Sequence, residues 1–209
     1  MSKRLVAEPS GVPIGGRAPE VLLLGASAGG PPALERILSQ LPYNFPVPVV
    51  ICQHMPSGFT RTWAERLDDI CSLKVAEARS GQVLTPRMIY IAPIGKQLRF
   101  SLQDTRGTIV LFPDLANSLH VPSIDVMFSS AAEVFGSRTL AVLLTGLGHD
   151  GAKGLLDIHR AGGRTIVESA ETAVSYSMPG AAVALGAAQE EAGIDEMADL
   201  IRKRIAGIT

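Results

Sequence analysis

A serine in the run Gly25-Ala26-Ser27-Ala28-Gly29 is the first residue whose setting suggests chemistry. The run fits G-x-S-x-G and joins an apolar stretch, residues 21–25, to a helix-length stretch that opens at Pro31. Small neighbours permit a tight turn that projects the hydroxyl. A helix N-terminus adds unpaired N–H groups and a field that favours developing negative charge. The same run would also serve as a closely packed strand–helix turn with Ser27 as a helix cap.

A serine hydroxyl is weakly reactive at neutral pH, so a nucleophilic serine requires a base. Four histidines compete for that role. His54 directly follows the apolar run 47–53, His149 precedes Asp150, His120 stands in a polar loop, and His159 lies inside a predicted helix. His54 closes a strand beside that of Ser27, which selects it. Asp150 ends the run Thr145-Gly146-Leu147-Gly148-His149-Asp150, where a carboxylate would fix the histidine tautomer and stabilise its imidazolium. Its simpler use is to cap the helix that follows. Asp125 is a second candidate acid, on a helix face where a structural role is expected. His149 with a different acid is an alternative base, awkwardly placed beside Asp150. The N–H groups of Ala28 and of the turn Gly146, Leu147 and Gly148 are the candidates for holding an oxyanion; losing one such donor costs about 3 kcal/mol.

These groups need elements to position them. Apolar runs at 21–25, 47–53, 139–145 and 164–168 read as buried strands, and amphipathic stretches at 31–41, 60–71, 123–135, 151–161 and 194–205 as helices. Ser123 is a suitable cap for the third helix. The runs 75–78, 88–92, 97–101 and 108–112 are short and β-like, and read together as a hairpin-bearing segment appended to the sheet. Continuous apolar strands alternating with helices imply a parallel sheet covered on both faces. Ser27, His54 and Asp150 then share the carboxyl edge, where open α/β sheets place their sites.

The 209 residues suffice for one substantial domain. With 46% hydrophobic and 19% charged residues and a net charge of −1, the chain is neither disordered nor a nucleic-acid binder by global field. No apolar run is long enough to cross a bilayer, so direct membrane insertion is not expected. Residues 1–19, rich in Pro and Gly and lacking a signal core, read as a flexible leader or linker before a domain at 20–209. Cys52 and Cys71 read as reduced core residues of a cytoplasmic protein. A nucleotide-binding module is a rival reading of Gly25–Gly30, but G-x-G-x-x-G and a Gly-Lys-Ser/Thr ending are both missing. A catalytically silent interaction domain is a second rival.

Four segments together resemble the catalytic domain of the CheB family of chemotaxis protein-glutamate methylesterases. They are Gly25-Ala26-Ser27-Ala28-Gly29-Gly30, Gln53-His54-Met55-Pro56-Ser57-Gly58-Phe59-Thr60, Pro122-Ser123-Ile124-Asp125-Val126-Met127-Phe128, and Leu144-Thr145-Gly146-Leu147-Gly148-His149-Asp150-Gly151. Tyr90-Ile91-Ala92-Pro93 and Tyr176-Ser177-Met178-Pro179 add weaker support. The resemblance spans nearly the whole chain after the leader. It implies a Rossmann-like, doubly wound, mainly parallel sheet and a Ser27–His54–Asp150 triad needing no metal or organic cofactor. It also implies hydrolysis of glutamate γ-methyl esters on the cytoplasmic helices of chemoreceptors, with deamidation of receptor glutamines in some members. Three positions depart from the common family pattern: Ala28 for Thr, Leu147 for Met, and Val121 for Arg. The receiver domain usual in the family has no counterpart in these residues. The resemblance therefore fits either an excised catalytic domain or a stand-alone relative, with a receiver acting in trans as one option.

Overall fold

The computed structural model describes residues 18–56, 58–114 and 118–208. The first seventeen residues of the expected leader lie outside this range. Seven strands form one parallel sheet: β1 (Val21–Ala26), β2 (Val49–Gln53), β3 (Lys74–Glu77), β4 (Met88–Ile91), β7 (Thr139–Leu143), β8 (Arg164–Glu168) and β9 (Glu190–Ala192), in the order β3-β4-β2-β1-β7-β8-β9. A separate antiparallel hairpin pairs β5 (Gln97–Gln103) with β6 (Arg106–Phe112).

Among the described residues the α-helices are α1 (Gly30–Leu38), α2 (Thr60–Ile70), α3 (Ile124–Phe135), α4 (Ala152–Arg160), α5 (Ser177–Ala184) and α6 (Ile194–Ile205). Alternate residues of the central strands point to opposite faces, as the two-residue strand period requires. Leu22, Leu24, Val49, Ile51, Leu140 and Val142 pack beneath α1, α2 and α6. Val21, Leu23, Val50, Cys52, Ala141 and Leu143 pack beneath α3, α4, α5 and the hairpin. Each such buried aliphatic side chain contributes about 1.5–3 kcal/mol. Both faces are covered, which is the doubly wound arrangement expected from the sequence.

The four β-like runs of the middle segment have divided. β3 and β4 are parallel members of the main sheet, and only β5 and β6 form the appended hairpin. The chain thus winds outward from β1 through β2 and then returns to β7 on the other side of β1. That reversal opens a crevice at the carboxyl ends of β1 and β7. The hairpin packs against α3 through Leu98, Phe100 and Ile109. Cys52 and Cys71 are free thiols, the first buried and the second half-buried. Burial pushes both up, Cys71 to about 11 with added help from Asp68 and Glu35. No helix among the described residues is long and apolar enough to cross a membrane.

Candidate active site

The end of β1 carries Ser27 into the crevice. Its N–H donates to Thr145 O at 3.0 Å, and its carbonyl accepts the N–H of Gly30 at 2.9 Å. Gly29 has φ 80°, the left-handed conformation that starts α1 directly after the serine. Gly146 lies so close that a Cβ there would stand 2.7 Å from Ser27 Cβ and 2.1 Å from Met178 Sδ. The glycine therefore admits the Ser27 turn beside α5.

His54 is next to Ser27 because β1 and β2 are paired, Ala26 opposite Gln53, and His54 N–H donates to Ala26 O at 3.0 Å. Gln53 couples the two strand ends a second time. Its buried amide nitrogen donates to Ser27 O at 2.9 Å and to His54 O at 2.7 Å. Sequence reasoning did not single out Gln53; a polar residue closing an otherwise apolar strand was the available signal.

Asp150 does not cap α4, whose N-cap is Gly151 without a side-chain bond. It sits instead at the N-terminus of α3. Oδ1 accepts Ser123 Oγ at 2.8 Å and Asp125 N–H at 3.1 Å, and Oδ2 accepts Ile124 N–H at 2.7 Å and His54 Nε2 at 2.9 Å. Burial alone would push this carboxyl up. The His54 ring, the two helix N–H groups and the Ser123 hydroxyl outweigh burial and hold it down to about 2. The carboxylate is therefore ionised at neutral pH and can only accept hydrogen bonds. It follows that Nε2 of neutral His54 carries the proton and Nδ1 carries the lone pair. Nδ1 is buried and has no hydrogen-bond partner among the described residues. A buried lone pair left unpaired is costly unless something else uses it.

The remaining candidates separate clearly. Asp125 faces α4, where its carboxylate accepts Gly154 N–H at 2.8 Å; burial raises its pKa, with Asp150 adding to the effect. His149 is exposed, and His159 lies on α4. His120, expected only in a polar loop, has its ring against that of His54, centroids 4.0 Å apart. Gly146 N–H is already committed to Ser175 O at 3.0 Å, whereas the N–H groups of Ala28, Leu147 and Gly148 have no acceptor among the described residues. Thr145 fixes the facing turn: its hydroxyl reaches Ala28 O at 2.9 Å and its N–H donates to the buried Glu168 at 2.9 Å. Among the described residues no three His, Cys, Asp or Glu side chains are arranged to hold a metal ion.

A serine turn, a histidine with an open buried nitrogen and an ionised carboxylate on its other nitrogen are the parts of an acyl-transfer site. Comparison with known proteins agrees. The family described as CheB methylesterase matches residues 22–201. A protein-glutamate methylesterase/protein-glutamine glutaminase of Geobacter sulfurreducens is 46% identical over 185 residues, covering 88% of this chain and 50% of its own length. One of Nitratidesulfovibrio vulgaris is 44% identical over 182 residues, covering 87% and 50%. The crystal structure of the Thermotoga maritima CheB methylesterase catalytic domain superposes with a TM-score of 0.86 at 35% identity, covering 92% of this chain and all of that one. The chain thus spans about half the length of the curated relatives it matches.

Proposed function

The chain belongs to the CheB methylesterase family, and from that membership we propose that it hydrolyses glutamate γ-methyl esters on the cytoplasmic helices of methyl-accepting chemoreceptors. The observation that carries the reading is the His54–Asp150 pair, at the end of the strand paired with that of Ser27, with the buried Nδ1 left without a partner among the described residues.

In this mechanism Ser27 Oγ attacks the ester carbonyl while His54 Nδ1 takes the hydroxyl proton. The resulting imidazolium is stabilised by Asp150 through Nε2–H. The tetrahedral oxyanion is held by the free N–H groups of Ala28, Leu147 and Gly148, and Gly146 contributes by having no side chain. Nδ1–H then protonates the departing methoxide, which leaves as methanol. Water, deprotonated by Nδ1, hydrolyses the acyl-enzyme, returning a glutamate carboxylate and the serine. The relatives' names also include protein-glutamine glutaminase. A primary amide yields the same acyl-enzyme with ammonia as the leaving group, so receptor glutamines are a second substrate class.

Four exposed apolar side chains, Phe59, Leu119, Leu147 and Val174, stand on the loops bordering Ser27, His54 and the Gly146 turn. Such a rim suits a side chain presented on a protein surface better than a free small ester. A cytoplasmic setting and control by a receiver domain, in cis within a longer chain or in trans, belong to the same reading.

The test is methanol release from a methylated receptor cytoplasmic fragment. Ser27→Ala is expected to lower kcat by a factor on the order of 10⁴ or more. Turnover by Ser27→Ala at the native rate would overturn the assignment.

A further inference from the structure

The loop between β6 and α3 lays a second imidazole on the first. The ring of His120 stacks on that of His54 with centroids 4.0 Å apart and planes 7° apart. Its backbone is held from the hairpin: His120 O accepts Gln97 Nε2 at 3.0 Å. Gln97 is 1% exposed, and its Oε1 accepts the N–H of Ser123 at 2.8 Å. Ser123 in turn donates its hydroxyl to Asp150. Asp150 therefore grips the edge of His54, His120 covers its face, and one buried amide ties the two supports together.

We propose that His120 is a positioning residue for His54: its neutral ring fixes the plane of the base and lies face to face with the imidazolium formed during turnover. The inference rests on His54 being the base that serves Ser27. A neutral aromatic face attracts a cation, while a protonated His120 would set two like charges ring to ring. Other groups around His120 bear on its charge. Burial lowers its pKa and His54 lowers it further; Asp150 acts in the opposite direction and His149 in the same one. Asp114, on the same loop, accepts from Gln97 Nε2 at 3.5 Å and adds a negative charge near that support.

The hairpin gains a role in this arrangement. Gln97 opens β5, so the appended element, and not the main sheet, sets where His120 and the N-terminus of α3 stand relative to each other.

The experiment follows the rate at which a fluorophosphonate labels Ser27 at neutral pH, in the native chain and in His120→Ala and His120→Phe. This reaction uses the base without needing the receptor. His120→Ala is expected to label roughly 10–100-fold more slowly. His120→Phe, which keeps a flat ring over His54, is expected to recover to within about fivefold of native. Native-rate labelling of His120→Ala, or a Phe variant no faster than the Ala variant, would each overturn the inference. Loss of labelling at Ser27 in the native chain itself is a separate result, which would remove the nucleophile reading and this inference with it.

Discussion

Asp150 has its four lone-pair positions filled by four donors, two on each oxygen. An amide in its place would have to turn a nitrogen toward one pair of those donors. Asp150→Asn is therefore expected to place His54 in the wrong tautomer or out of position, lowering kcat for methanol release by a factor on the order of 10⁴ with KM little changed. Steady-state kinetics check this; a variant within tenfold of native kcat would contradict it. At this scale the meeting of His54 with Asp150, and of the His54 strand end with that of Ser27, was legible because each residue follows an apolar run. His120, Gln53 and Gln97 were not. Nothing local distinguishes a histidine in a polar loop or a glutamine opening a short β-like run, and the polar end of an apolar strand at Gln53 does not say what the side chain will bind. Their contacts exist only once β2, the hairpin and α3 have packed together.

Among the elements, the crossing of α3 and α4 is what presents the α3 N-terminus to Asp150. The helices approach at Gly154, where a Cβ would lie 2.6 Å from Phe128 Cβ and 2.8 Å from the backbone oxygen of Asp125. Alanine gains about 1 kcal/mol in helix propensity over glycine. Forcing two backbones apart costs about 1–3 kcal/mol, so the overlap wins. Gly154→Ala is expected to be destabilising by about 1 kcal/mol in urea unfolding, with a parallel fall in activity as the N–H groups of Ile124 and Asp125 shift; a more stable variant would contradict this packing. The long apolar strands and the Ser123 cap of α3 were readable from the sequence. α5 was not, because Ser-Met-Pro-Gly-Ala-Ala-Val-Ala has a proline, a glycine and no polar face to set against an apolar one. β9 was missed because three residues, two of them glutamates, form an edge strand that only β8 defines. β3 and β4 were grouped with the hairpin because strands this short do not reveal their partners.

For the whole molecule, the buried carboxylate links the site to folding. Asp150 is displaced from its ordinary 3.8 to about 2, so it contributes stability above pH 3.8 that is lost as pH falls through the interval down to about 2. The displacement is worth about 2 kcal/mol. Urea unfolding between pH 5 and pH 2 should therefore show the native chain losing about 2 kcal/mol more than Asp150→Asn; equal losses would mean that the carboxylate is not held as described. The two cores on either face of the sheet meet this site only along its carboxyl edge, so the fold supports the chemistry without sharing residues with most of it. Assignment of the nucleophile is the claim on which the rest depends. Its most direct measurement is fluorophosphonate treatment of the intact chain followed by mass-spectrometric mapping of the adduct. A single adduct on Ser27, absent in Ser27→Ala and strongly slowed in His54→Ala, is the predicted result. An adduct on another residue, or none at all, would contradict it.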